Sequence, residues 1–181
     1  MEKNMKLKEN YNNKILYSNE DIFETIEKVL QENKTNLIVV PHVCNNIGVF
    51  GGGFTKYIND HYPIVQENFY LLGQKASLGY VQFVTVNTNG KTNGKIVFAN
   101  MIAQNGIISK KNNRPLNYAA LVKTMIEVKK FVDIENKNND IDKSYIHAPK
   151  FGSGLAGGEW KFIEKLIEDI WTNSVVTIHI R

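Results

Sequence analysis

Two spacings of apolar residues divide this chain, one near every second position and one near every third or fourth, and their changes mark its elements. Residues 15–17, Ile15-Leu16-Tyr17, form a short apolar strand candidate. Ser18 or Asn19 is then placed to cap a helix with Glu20 and Asp21 in its first turn and Ile22, Ile26 and Leu30 along one face. Residues 37–43 are apolar almost without interruption, as expected of a strand buried on both sides. Residues 52–62 and 64–72 read as two helices separated by Pro63. Residues 80–86 and 95–103 pair as a hairpin through a turn-rich Asn/Gly tract at 87–94. The spacing of Leu121, Met125 and Val128 predicts a helix over 116–133, and the polar tract 135–142 reads as a loop. A strand at 144–148, an amphipathic helix at 159–171 and a last strand at 175–180 complete the chain. Helices alternating with buried strands predict an α/β fold: a three-layer α/β/α sandwich around a central mixed β-sheet.

A length of 181 residues fits one domain with its own core, and neither a repeat nor a linker divides it. Residues 14–181 are expected to form that domain, and residues 1–13 a flexible polar terminus. Hydrophobic content of 43% and charged content of 22% are those of an ordinary soluble globular protein. Much of the net charge of +4 lies in the start, where Lys3, Lys6, Lys8 and Lys14 stand among asparagines. No cationic run is interleaved with aromatics, so a nucleic acid is expected only as a modified substrate. Cys44 is the single cysteine, which excludes an internal disulfide and a cysteine-based metal cluster and fits a reducing, cytoplasmic setting. The start lacks a signal-peptide core, and no stretch reaches the roughly 20 apolar residues of a membrane span. His42, His61, His147 and His179 have no metal-ligand spacing. No metal and no cofactor is expected; the oligomeric state is left open.

The chemistry concentrates in two glycine-rich segments. In the first, an apolar strand runs through His42 and Cys44 into Asn45-Asn46, and then Gly51-Gly52-Gly53-Phe54 opens a helix. Glycine permits positive φ and close approach of a ligand to the main chain, and successive amides ahead of a helix form an anion site. Asn45 and Asn46 can both donate and accept, which suits ribose hydroxyls. A tight strand-to-helix turn without a ligand is the alternative. The second segment, Phe151-Gly152-Ser153-Gly154-Leu155-Ala156-Gly157-Gly158, repeats the order of strand, glycines and helix. Its amides and the Ser153 hydroxyl could wrap a diphosphate.

Five segments together carry a family resemblance over roughly residues 15–181. They are His42-x-Cys44-Asn45 followed by Gly51-Gly52-Gly53; Leu78-Gly79-Tyr80-Val81-Gln82-Phe83; Ala99-Asn100-Met101-Ile102-Ala103-Gln104; His147-Ala148-Pro149; and Gly152-x-Gly154-Leu155-Ala156-Gly157-Gly158-x-Trp160. The set resembles a macrodomain, the ADP-ribose-binding fold. More narrowly it resembles the branch of bacteria and phages that includes ADP-ribose 1″-phosphate phosphatases and terminal ADP-ribose glycohydrolases. The resemblance implies that Asp21 accepts from the adenine amine, although it follows Glu20 where the family has glycine; a plain helix-start acid is the alternative. It implies that Asn45 contacts the distal ribose, and that residues 51–54 and 152–156 surround the diphosphate and that ribose. His179 stands where the family often has a tyrosine against the adenine; it could stack there or be a satisfied strand histidine.

His42 is the histidine nearest either loop, and its range suits general acid or base work beside Asn45, so His42 and Asn45 are the catalytic candidates. A core histidine bonded to a neighbour is the competing reading. Cys44 reads as a small buried packing residue. Aligned on the resemblance, the glycohydrolase lysine falls on Gln104 and its aspartate on Ala156, so a lysine-adduct mechanism is not expected. The phosphatase pattern is intact. Hydrolysis of ADP-ribose 1″-phosphate to ADP-ribose and phosphate is therefore the leading expectation, ahead of binding or sequestering ADP-ribose-type nucleotides without turnover and of removing ADP-ribose from modified macromolecules.

Overall fold

The computed structural model describes residues 15–32, 37–86, 94–139 and 144–180. The polar start and residues 87–93 of the hairpin turn lie outside the described residues. Six strands form one sheet: β1 (Leu16–Ser18), β2 (Leu37–Asn45), β3 (Val81–Val86), β4 (Lys95–Gln104), β5 (Ser144–Pro149) and β6 (Ser174–His179), in the order β1-β6-β5-β2-β4-β3. Every neighbouring pair is parallel except β3 against β4, where Val81 faces Met101 and Val86 faces Ile96. The sheet is mixed, as expected.

Helices cover both faces, so the central strands need apolar residues on both. On one face α4 (Tyr118–Asn139) and α5 (Trp160–Ile170) pack Leu121, Met125, Val128, Ile163 and Ile167 onto Val39, Ala99, Met101, Ile146 and Ile178. On the other face α1 (Ile22–Gln31), α2 (Phe54–His61) and α3 (Pro63–Leu72) bring Phe23, Ile26, Leu30, Ile58 and Phe69 against Ile38, Val40, Phe98 and Ile102. The uninterrupted apolar run of β2 thus divides alternately between two cores. No described helix is long and apolar enough to cross a membrane.

Two expectations need correction. The cap of α1 is Asp21, not Ser18 or Asn19: Asp21 Oδ1 accepts from Phe23 N at 2.8 Å and from Glu24 N at 3.0 Å. Ser18 instead closes a turn, its hydroxyl accepting from Glu20 N at 3.0 Å. The tract expected as a loop from 135 is helical as far as Asn139, where Asn139 Nδ2 donates to Glu135 O at 2.8 Å. Glu and Lys are good helix formers, and a polar run continuing an anchored helix is a solvated last turn. Residues 140–142 of that expected loop lie outside the described residues.

Candidate functional site

Because β2, β4 and β5 are parallel, the loops leaving them emerge at one end of the sheet. The first is shaped by its own asparagine. Asn45 Oδ1 accepts from Ile47 N at 3.2 Å and from Val49 N at 3.0 Å, while its Nδ2 donates to Val49 O at 2.6 Å. Oδ1 and one Nδ2–H of this amide hold residues 46–49, which leaves its second Nδ2–H for the expected ribose contact. Asn46 ties this loop to the one after β4, donating to Asn105 Oδ1 at 3.1 Å and accepting from Gly106 N at 2.8 Å.

Gly51 and Gly53 take φ of 135° and 57°, which explains glycine at both. Their segment corrects the expectation of open amides. The Thr55 hydroxyl accepts from Gly51 N at 2.9 Å and from Gly52 N at 3.1 Å, and donates to Gly52 O at 2.9 Å. Donors exposed at a helix start attract a side-chain oxygen, and Thr55 supplies it from the second residue of α2.

The second loop is more open. Phe151, buried, packs edge-on against Trp160, and the Ser153 hydroxyl donates to Lys150 O at 3.0 Å. Gly157 N donates to Gly154 O at 2.9 Å and Gly158 N to Gly152 O at 2.8 Å, closing the turn. Among the described residues the N–H groups of Gly152, Ser153, Gly154, Leu155 and Ala156 have no protein acceptor. The two loops meet: a methyl placed on Gly52 would lie 3.5 Å from Leu155 Cδ1. Ala156 is buried with its carbonyl accepting from Leu116 N at 3.0 Å, so no carboxylate stands at the glycohydrolase position.

Beyond the first loop lies a cleft of about 370 Å³ lined by Glu20, Asp21, Ile22, Phe54, Tyr57 and His179, among others. Burial pushes the Asp21 carboxyl up. The Tyr57 hydroxyl on its Oδ2 and the amides of Glu24 and Phe23 outweigh that, leaving it below the usual carboxylate value. His179 Nδ1 donates to the Glu20 carbonyl at 3.0 Å, which leaves Nε2 to accept from His147 Nδ1 at 3.0 Å. Both nitrogens of His179 are satisfied within the protein, so it offers the cleft a ring rather than a polar contact. His147 Nε2 is buried without a partner, and burial, then His179, lowers its pKa to about 4.

His42 lies inside the α2–α3 core, 1% exposed, its ring edge-on to Phe50 and Phe54. Its Nε2 is 2.6 Å from Asn100 Oδ1, and burial drives its pKa down to about 4. The ring is enclosed and does not line the cleft, so this geometry lends the catalytic expectation for His42 no support. Cys44 is buried 3.6 Å from His42 Nδ1, and burial pushes its thiol pKa well up, so packing is its role. Sequence reasoning missed Thr55 and Tyr57. Thr55 stands four residues after Gly51 and Tyr57 three after Phe54, a spacing that turns both toward the loop and the cleft.

Structural comparison decides the family of folds. A Bacteroides thetaiotaomicron protein of unknown function is 31% identical over 92% of this chain and 97% of its own, with a TM-score of 0.73. A macrodomain protein from Streptomyces coelicolor is 25% identical over 93% of this chain and 99% of its own, with a TM-score of 0.67. This chain has the macrodomain fold. It belongs to one family with the Bacteroides protein. A third likeness, at the level of fold alone, is to Thermosipho africanus DarTG solved in complex with ADP-ribose, 16% identical over 84% of this chain and 39% of that one, with a TM-score of 0.60. No protein-family model and no curated protein matches this macrodomain.

Proposed function

We propose that this macrodomain binds ADP-ribose or a close derivative. The base enters the cleft of Asp21, Phe54, Tyr57 and His179, and the diphosphate lies against the loop of residues 152–156. The observation that carries the proposal is the run of N–H groups from Gly152 to Ala156 without protein acceptors, in a loop whose Leu155 side chain reaches the Gly51–Gly53 turn. Unpaired backbone donors suit an anionic oxygen, and each charge-assisted bond contributes about 1.5–3 kcal/mol. The fold likeness to a protein solved with ADP-ribose supports the same ligand.

The narrower expectation, hydrolysis of ADP-ribose 1″-phosphate, rests on the resemblance of residues 42–45 and 51–53. It needs an acid or base at the sugar; His42 is enclosed, and the Asn45 amide, which holds its loop through Oδ1 and one Nδ2–H, is neither an acid nor a base. Binding without turnover is therefore the conclusion. Titration calorimetry against ADP-ribose, ADP-ribose 1″-phosphate, NAD and AMP tests it, with ADP-ribose bound more tightly than AMP. No heat from any of the four would overturn the proposal. Phosphate released from ADP-ribose 1″-phosphate would restore the phosphatase, and label released from an ADP-ribosylated protein or nucleic acid would favour a hydrolase of modified macromolecules.

A further inference from the structure

Three loops form one rim at the open end of the sheet. The Asn46 clasp on Asn105 and Gly106 joins the first to the second, and Leu116 N on Ala156 O joins the second to the third. Ile47 follows Asn46 and Ile107 follows Gly106, so the clasp sets both on this rim. Ile47, Ile107 and Ile108 are 56%, 45% and 46% exposed. Single exposed aliphatics are ordinary, but several flanking one clasp make a patch that a partner would cover.

The charge beside this patch has one sign. Residues 105–117 carry Lys110, Lys111 and Arg114 and no acid, and none of these cations has an acidic partner among the described residues. The Arg114 guanidinium lies over the Tyr118 ring, 5.0 Å from its centroid. It borders a polar cleft of about 330 Å³ lined also by Asn105, Asn112 and Asn117. Asn112 Nδ2 is taken by the carbonyls of Asn105 and Ile107, but the Asn105 and Asn117 amides and a guanidinium without a carboxylate of its own suit a carboxylate brought from outside.

We infer that this rim docks a short polypeptide segment that combines apolar and acidic side chains, one carboxylate entering the Arg114 cleft. The inference rests on the ADP-ribose reading, since the segment is the part of a modified protein adjoining its ADP-ribosyl group. A nucleic-acid strand fits the rim less well. The three loops expose no aromatic ring, the half-buried Tyr118 ring in the cleft is already covered by the Arg114 guanidinium, and a phosphodiester chain would leave the isoleucines uncovered.

The test uses a synthetic peptide of alternating Glu and Leu, unmodified and with one ADP-ribosyl group. A modified Lys-rich peptide and an ADP-ribosylated oligonucleotide serve as comparisons, and free ADP-ribose is titrated separately. The modified acidic peptide should bind about tenfold more tightly than free ADP-ribose, the size expected of one charge-assisted bond with some apolar burial. Arg114→Ala and the pair Ile107→Ser, Ile108→Ser should lose that gain and leave the affinity for free ADP-ribose unchanged. The unmodified acidic peptide should shift the methyl resonances of Ile47, Ile107 and Ile108. Equal affinity for modified peptide and free ADP-ribose, a gain seen with the oligonucleotide instead, or unmoved methyl resonances would each overturn the inference. Failure of free ADP-ribose to bind would count against the proposed function alone, because the methyl shifts read the rim without it.

Discussion

His42 Nε2 donates to Asn100 Oδ1 across 2.6 Å, and the rest of a buried chain fixes that direction. Asn100 Nδ2 donates to Gln82 Oε1 at 2.9 Å, and Gln82 Nε2 donates to the Asn68 carbonyl at 2.8 Å. A carbonyl can only accept, so each amide is oriented in turn and His42 is left with its proton on Nε2. Nδ1 then faces the Cys44 thiol at 3.6 Å. The chain links β2, β4, β3 and α3 below the first loop. It gives a residue expected to be catalytic a structural role.

Breaking this chain should cost stability more than binding. Asn100→Ala strands the buried His42 N–H and leaves the half-buried Gln82 side-chain oxygen without its donor. At about 1–3 kcal/mol for the buried N–H and about 1 kcal/mol for the half-buried oxygen, the loss should be roughly 2–4 kcal/mol. Urea unfolding measures it, and the ADP-ribose affinity of the folded variant should stay within about threefold of wild type, a change below 1 kcal/mol. A large loss of affinity with unchanged stability would return the chain to the site's chemistry.

The two depressed histidines also set an acid limit. His42 and His147 each have a folded pKa of about 4 against an ordinary 6.5, so the unfolded chain binds more protons between those values. Their contribution is complete above pH 6.5 and is lost as pH falls toward 4. For His42 the linkage is worth about 3 kcal/mol at most. Melting temperature should fall steadily across this window, less steeply in His147→Phe. A flat profile would show that neither histidine is buried neutral.

Glycine has a different task at each end of the second loop. A methyl on Gly158 would lie 2.3 Å from Leu116 Cδ2 and 2.6 Å from Gly152 O, and one on Gly157 2.6 Å from Asn113 O. A methyl on Gly154 meets nothing within 4 Å, and its φ is not positive. Gly158→Ala should therefore cost about 2 kcal/mol or more in unfolding free energy, while Gly154→Ala leaves stability unchanged. Any effect of Gly154→Ala on ADP-ribose affinity then reports contact with the ligand. Equal stability of the two variants would contradict the packing described for Gly158.

The strands, the layering and most helix spans followed from apolar spacing because burial on two faces leaves a strong periodic record, whereas the order of the strands in the sheet left none. The end of α4 did not. Once Val132 is buried, the residues that continue the helix need only be good helix formers, and such residues also compose loops. Backbone donors were half legible. Glycines announced where the chain turns, but which amides stay open depended on Thr55, an ordinary residue whose hydroxyl bonds only in three dimensions. His42 misled for a similar reason. Its neighbours in sequence placed it beside the loop, whereas strand alternation turned it into the core between Val40 and Cys44.

Asp21 serves two elements at once, capping α1 through Oδ1 and accepting from the Tyr57 hydroxyl of α2 through Oδ2. Tyr57→Phe removes one of the bonds that hold the Asp21 carboxyl below its ordinary value of 3.8 and keeps the ring stacked on Phe23. The Asp21 pKa, followed by its carboxyl resonance, should rise in the variant. A depressed carboxylate contributes stability above its unfolded pKa that is lost as pH falls through the folded one, so Tyr57→Phe should begin to lose stability at a higher pH than wild type. An unmoved Asp21 resonance would show that the backbone donors of the cap alone set its acidity.

Thr55 gives the sharpest reading of the first loop. Its hydroxyl accepts from the amides of Gly51 and Gly52 and occupies the position an anionic oxygen would take. Thr55→Val keeps the shape of the side chain and removes that acceptor, whereas Thr55→Ser keeps it. Amide exchange at Gly51 and Gly52 should quicken in Thr55→Val and stay at the wild-type rate in Thr55→Ser. Loss of the capping bonds should also cost about 1 kcal/mol of stability. Saturating ADP-ribose should slow exchange in the valine variant if the diphosphate reaches this loop. Exchange that ADP-ribose leaves unchanged there would confine the diphosphate to residues 152–156.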